Sequence, residues 1–295
     1  MKGYAARIPA YALPLLKRAP EVALVEPDRV WQLQRAVPAQ PEPPSWGLTR
    51  LSSKALPAAG SAYLYPPSAG TGVTAYVVDT GINIKHPDLE GRAIWGKTFA
   101  NDGDTDKNGH GSHVAGTIGG HDHGVAKNVT LVAVKVLNGQ GSGTTSGVLA
   151  GIDWTAADHA RRTRERGDGK QARSVANMSL GGGASVALDR ATAAAVRAGV
   201  AFAVAAGNSA GDACRVSPAR VNEAVTVAAS DRRDTFAYFS EKGPCVDIVA
   251  PGVDITSIWI DEPGAGHSGK APVNTISGTS MATPHVCGVM ALVLS

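Results

Sequence analysis

From residue 72 onward, apolar runs rich in Val and Ala alternate with stretches whose apolar positions return every three to four residues. The runs Val73–Val78, Val129–Leu137, Ser174–Met178, Val200–Ala205, Val225–Ala229 and Val246–Val249 predict strands. The stretches Gly109–Gly119, Ser146–Arg162, Leu188–Ala198 and Ser280–Leu294 predict helices. Pro284 is read as lying in the first turn of the last helix, where a missing N–H is tolerated. Strands alternating with helices define an α/β protein whose mostly parallel sheet is covered on both faces, with function at the carboxyl ends of the strands.

The first 45 residues follow a different pattern. Gly3–Ile8 and Glu21–Val25 are strand-like, Ala10–Arg18 is helix-like, and Val37–Ser45 (VPAQPEPPS) is a proline-rich connector. A small α+β fragment on a linker is expected, with an ordinary N-terminal extension as the plainer alternative. No internal repeat is apparent.

Composition narrows the class further. With 295 residues, 43% apolar and 18% charged, the chain can bury a sizeable core, so whole-chain disorder is excluded. The 35 glycines and 18 prolines are scattered without period and mark tight turns. A net charge of +3, with the one basic cluster at Arg161–Arg166 interrupted by Thr163 and Glu165, gives nucleic-acid binding little support. No stretch reaches the roughly 18 apolar residues of a membrane helix, and Met1–Pro20 has no compact apolar signal core followed by a cleavage site. Three cysteines, Cys214, Cys245 and Cys287, allow at most one bridge and one free thiol, and their number leaves the redox compartment open.

Candidate chemistry lies in three segments of small residues around one reactive side chain each: Val77-Val78-Asp79-Thr80-Gly81, Asn108-Gly109-His110-Gly111-Ser112-His113, and Ser277 to Pro284 around Ser280. An acid, an imidazole and a hydroxyl are the set that nucleophilic acyl transfer requires. Each segment alone reads better as a turn or a cap than as chemistry. Ala205-Ala206-Gly207-Asn208-Ser209 adds a side-chain amide after a buried strand, a suitable oxyanion donor.

The order Asp, His, Asn, Ser and the flanking sequences resemble the subtilase serine proteases. The segments NGHGSHVAGTIGG, VKVLNGQGSG, ANMSLGGG, VAAGN, VSPAR and SGTSMATPH resemble the proteinase K-like branch, in particular its aqualysin type, over about residues 45–295. The resemblance implies a subtilisin-like doubly wound sheet and a serine endopeptidase. It makes Asp79 the orienting carboxylate, His110 the general base and then acid, Ser280 the nucleophile, and Asn208 with the Ser280 N–H the oxyanion donors. Loss of one such donor in a subtilase costs about 10² to 10³ in turnover, and that borrowed scale is expected for Asn208→Ala.

Further roles also come from the resemblance. Gly141-Ser142-Gly143 and Ser179-Leu180-Gly181 match the segments that pair with substrate backbone as added strands. Ala205, Ala206 and Gly207 would floor the first side-chain pocket, small and uncharged, so a bulky apolar or aromatic residue is expected before the cut bond. Thr145 stands where proteinase K-like enzymes often have a tyrosine near the fourth pocket, which leaves selectivity there open. Asp247, Asn222 and Ala224 map to a calcium site of one carboxylate and two backbone carbonyls; the alternative for Asp247 is a loop cap. A zinc site at His110, His113, His121 and His123 is disfavoured by spacing. Cys214 and Cys245 align with a disulfide of the aqualysin type, which would contribute about 3 kcal/mol and favours an oxidising, extracytoplasmic or secreted location. Cys287 takes the place of a usual alanine and is read as a small buried hydrophobe.

The segment GYAARIPAYALPLLKRAPEVALVEPDRV resembles the second half of an inhibitory propeptide. Residues 1–38 are therefore expected to be a partial propeptide and processing linker, with self-cleavage near Gln34–Ala39, and residues 39–295 the catalytic domain. The chain stops inside the helix after Ser280, where members of the family continue, so a C-terminal truncation is expected. A monomer is the default, with protein and peptide substrates and its own propeptide as intramolecular inhibitor. The alternative is a noncatalytic or misfolded truncated subtilase that at most binds peptides. An esterase of the α/β-hydrolase kind is disfavoured because its order is Ser, acid, His, and a dinucleotide-binding enzyme because no Gly-x-Gly-x-x-Gly follows the first strand.

Overall fold

The computed structural model describes residues 7–23, 25, 37–58, 60–261 and 271–295. The chain divides into two units, Met1–Ala36 and Val37–Ser295. In the first unit a 3₁₀ turn, Ala10–Ala12, runs into the short helix α1, Leu13–Arg18, whose Pro14 sits near the helix start where its missing N–H costs nothing. Of the two expected strands there, residues 1–6 and 24 lie outside the described residues.

The second unit opens with β1 (Ala39–Gln40), α2 (Trp46–Leu51) and β2 (Tyr63–Leu64), β1 and β2 pairing antiparallel. The main body follows as β3 (Val73–Asp79), β4 (Ala93–Thr98), α3 (His110–Gly119), β5 (Thr130–Lys135), α4 (Thr145–Arg166) and β6 (Arg173–Met178). It continues through β7 (Gly182–Gly183), α5 (Val186–Arg197), β8 (Val200–Ala205), β9 (Val216–Ser217), β10 (Val225–Ser230) and β11 (Ile248–Pro251). A hairpin, β12 (Ile255–Ile258) and β13 (Val273–Ile276), leads into α6 (Thr279–Leu294).

Seven strands form one sheet in the order β11-β10-β8-β6-β3-β5-β4, and every neighbouring pair is parallel. All seven residues of β3 are buried, as a strand covered on both faces requires. Its alternate residues serve two cores. Val73, Ala75 and Val77 pack with Val114 and Ile118 of α3 and Met281 and Val286 of α6, while Tyr76 and Val78 pack with Ile152 of α4 and Leu188 of α5. On one side of β3 the chain runs outward through β6, β8, β10 and β11, and on the other it reaches the edge at β4 before β5 fills the gap, so the carboxyl ends of β3 and β6 flank the switch point where α/β sheets form crevices.

Three features depart from the sequence reading. The edge strand β4 was not expected: its burial does not alternate cleanly, and its register slips between Trp95 and Lys97. The β12–β13 hairpin was also missed. Pro284 lies inside α6, not in its first turn. Its absent N–H leaves the Ser280 carbonyl without the usual helical donor, and the Ser179 hydroxyl donates to that carbonyl instead at 2.8 Å.

Small residues let α3 sit deep between the sheet and the β12–β13 hairpin. A Cβ on Gly116 would fall 2.4 Å from Ser257 Oγ and 2.8 Å from the Ile258 Cγ1 methylene. Gly116→Val is therefore expected to destabilise the chain by about 1–3 kcal/mol or to prevent folding, measured as the shift in urea midpoint at constant slope.

Candidate active site

Asp79 is the last residue of β3 and is fully buried. The turn after it meets the start of α3 so closely that a Cβ on Gly111 would lie 2.1 Å from the Gly81 carbonyl oxygen, which makes glycine obligatory at 111. His110 is the first residue of α3, behind Gly109 at φ +99°. Its Nδ1 lies 2.7 Å from Asp79 Oδ1. An ionised carboxylate only accepts, so Nδ1 carries the proton and Nε2 faces the cleft as the free base.

This junction is clamped by a residue the sequence reading passed over. Asp106, buried beside the α3 N-terminus, accepts at Oδ1 from Thr80 Oγ1 (2.9 Å), Asn108 N (3.0 Å) and Gly109 N (2.9 Å), and at Oδ2 from Ser112 N (3.0 Å) and Oγ (2.7 Å). Thr80 Oγ1 in turn accepts from Gly111 N at 2.9 Å. A carboxylate here also meets the positive end of α3. The available signal was an Asp four residues before the histidine at a predicted helix start. Lys135, fully buried at the end of β5, donates to the carbonyls of Thr80 (2.7 Å) and Leu137 (2.9 Å) and pairs with Asp102 at 3.2 Å, which ties the turn after β3 to the following strand.

Burial works against a charged His110, but the charge and hydrogen bond of Asp79 and the charge of Asp106 outweigh it, and the imidazole pKa is raised. The nearby His113 behaves oppositely. It is buried against the Ile255 carbonyl (3.0 Å), which leaves desolvation dominant and drives its pKa down to about 3.

Ser280 is the second residue of α6. Its hydroxyl donates to the Ser179 carbonyl at 3.2 Å, and among the described residues no hydrogen bond joins it to His110. Asn208 follows β8; its Oδ1 accepts from both Thr279 N and Thr279 Oγ1 at 2.9 Å. That engagement fixes the amide orientation and leaves the Nδ2 protons free to donate.

Two contiguous clefts share Leu180 and Gly181–Gly183. The larger, about 490 Å³, contains His110, Gly141, Ser142, Gly143, Thr145 and Ser179. The smaller, about 350 Å³, contains Ala205, Gly207, Asn208 and Ser280. Ala206 does not face it; that side chain packs in a small cluster with Ala213, Ala219 and Ala228. Glu241 also lines the smaller cleft, which sequence reasoning missed because nothing local in the loop between β10 and β11 marks it.

The expected metal residues lie elsewhere. Asp247 is exposed, and its Oδ2 accepts from Thr226 N at 2.8 Å, near the chain of Asn222 and Ala224. The four histidines do not converge: His113 is bound to Ile255, His121 to Asp122 and His123 to Asp88. Among the described residues the one group of three metal-ligating side chains within reach of one another is Asp88, His121 and Asp122, and two of the three are exposed. Cys214 and Cys245 form a disulfide with Cα atoms 5.3 Å apart, and Cys287 is free and buried, its thiol pKa pushed up by desolvation.

A buried acid holding an imidazole, a hydroxyl at a helix start and a free amide beside a cleft are the parts of a serine hydrolase. The comparisons agree. Residues 70–295 match the model of the subtilase family, and this chain belongs to that family. It is 48% identical over 296 residues to the subtilisin-like serine protease Pen ch 18 of Penicillium rubens, covering 99% of this chain and 58% of that protein. It is 46% identical over 299 residues to alkaline protease 2 of Aspergillus fumigatus, covering 99% and 59%. The chain thus spans a little under three-fifths of these relatives. A crystal structure of a cold-adapted subtilisin-like serine proteinase superposes with a TM-score of 0.74 at 50% identity, covering 84% of each chain.

Removing the Asp79 charge leaves desolvation as the main influence on His110. Asp79→Asn is expected to lower the His110 pKa, seen by NMR titration of the ring. An unchanged or higher value would contradict the assigned cause.

Proposed function

We propose that this chain is a serine endopeptidase that hydrolyses peptide bonds through an acyl-enzyme on Ser280. The observation that carries the reading is the 2.7 Å contact between buried Asp79 and His110, in the same cleft system as Ser280 and the free Asn208 amide. With substrate bound, the Ser280 hydroxyl turns from the Ser179 carbonyl and attacks the scissile carbonyl carbon while His110 Nε2 takes its proton. Asp79 holds the opposite Nδ1–H and stabilises the imidazolium. Asn208 Nδ2 and the Ser280 N–H receive the oxyanion. His110 then protonates the leaving amine, and water releases the acyl group by the same route. Because the base form is required, activity rises as pH climbs through the raised His110 pKa.

The segments 141–143 and 179–181 would bind substrate backbone as added strands. Leu180 and Val216 supply apolar wall to the pocket beside Ser280, which supports acceptance of bulky apolar side chains before the cut bond. Residues 1–38 would act as a propeptide, removed by the enzyme near Gln34–Ala39 and inhibitory until degraded. The disulfide supports a secreted or extracytoplasmic setting. Among the described residues no helix is long and apolar enough to cross a membrane. A monomer acting on proteins is the simplest assembly.

Intact mass tests the zymogen reading. The wild-type chain is expected to lose roughly its first 35 to 45 residues while Ser280→Ala keeps full mass; equal masses would remove the self-processing claim.

Calcium is proposed as a structural ion held by Asp247 with the carbonyls of Asn222 and Ala224. The set is all oxygen, as a hard cation prefers, and the Thr226 N–H orients the Asp247 carboxylate while leaving Oδ1 available. Chelation is expected to lower the melting temperature of the wild type but not that of Asp247→Asn, read by calorimetry.

A further inference from the structure

The pocket beside Ser280 contains a charge that its family role does not require. Glu241 lines that pocket and is only 5% exposed, and its Oε2 is buried without a hydrogen-bond partner. No salt bridge reaches it among the described residues. Its backbone N–H donates to the Gly207 carbonyl at 2.9 Å, which holds the residue against the chain segment that runs from β8 to Asn208. Its neighbour Lys242 does not neutralise it, since that ammonium lies 5.1 Å from the centre of the Phe236 ring.

The surroundings are shaped to admit the carboxylate. A Cβ on Gly207 would fall 2.6 Å from Glu241 Cδ and 2.8 Å from Oε1, and Gly207 adopts φ +117°, a conformation that side chains disfavour. The carboxyl group therefore packs directly on the Gly207 backbone. Leu180 and Val216 give the pocket apolar wall, and although Asn208, Ser209, Thr279 and Ser280 also line it, none of them donates to Glu241 Oε2.

We propose that Glu241 makes this pocket a site for a cationic side chain, so that the residue before the cut bond is preferentially Arg or Lys. The inference rests on the endopeptidase reading and replaces its apolar preference before the cut bond with a cationic one. A buried carboxylate without a partner is costly, and an incoming guanidinium or ammonium supplies the missing donors. The methylene stems of Arg and Lys suit the apolar walls, with the charged head carried to the pocket's acidic end. Neutral side chains still fit the walls but leave Glu241 unpaired, which penalises them relative to a cation.

Two measurements test this. The first compares kcat/KM on succinyl-Ala-Ala-Pro-X p-nitroanilides with X as Arg, Lys, Phe or Leu, for wild type and Glu241→Gln. Arg and Lys are expected to lead in the wild type, and their kcat/KM relative to Phe and Leu is expected to fall about 10- to 100-fold in the variant. A wild type that favours Phe, or an Arg-to-Phe ratio unchanged by Glu241→Gln, would overturn the proposal.

The second needs no turnover: binding of 4-aminobenzamidine to Ser280→Ala with and without Glu241→Gln. Saturable binding that is lost in the double variant supports the acidic pocket, and equal binding in both overturns it. An inactive wild type with Glu241-dependent binding would sink the endopeptidase reading alone.

Discussion

The site depends on the junction between the end of β3 and the start of α3. Two segments 31 positions apart in the chain must bring Asp79 Oδ1 within 2.7 Å of His110 Nδ1. Asp106 makes this possible by accepting five hydrogen bonds from both sides of the junction, including the free N–H groups at the start of the helix. A carboxylate there satisfies donors that would otherwise be buried unpaired, and its charge also favours the imidazolium that the proposed reaction must form.

The parallel sheet supplies the remaining order. Because all seven strands run the same way, β3, β6 and β8 deliver Asp79, Ser179 and the Ala205–Asn208 segment to one edge. Helix α6 then crosses beneath that edge and presents Ser280 at its start. The proline in α6 belongs to the same arrangement, since the carbonyl it frees on Ser280 is taken by the Ser179 hydroxyl, joining the end of β6 to the backbone of Ser280. Packing and chemistry use the same residues here, and for that reason glycines cluster where backbones must touch.

The central strands and four long helices were legible from periodicity, because a strand buried on both faces is a continuous apolar run and a covering helix repeats at 3.6. The edge strand β4 escaped because it is half exposed and carries an irregular register. Asp79, His110, Asn208 and Ser280 were each ambiguous from local pattern and became a set only through their order and flanks. Asp106 left a helix-start signal that went unused. Glu241 left none: it sits 34 residues beyond Gly207 and reaches the pocket only through the fold, which is why the pocket floor read as uncharged.

The account stands most directly on the reactivity of one hydroxyl. Treating the purified chain with a fluorophosphonate and mapping the adduct by peptide mass spectrometry tests it. Stoichiometric modification of Ser280, slowed when His110 is replaced by alanine, is the predicted result. An unmodified Ser280, or labelling at another residue at the same rate, would contradict the claim that the junction of β3 and α3 arms this serine.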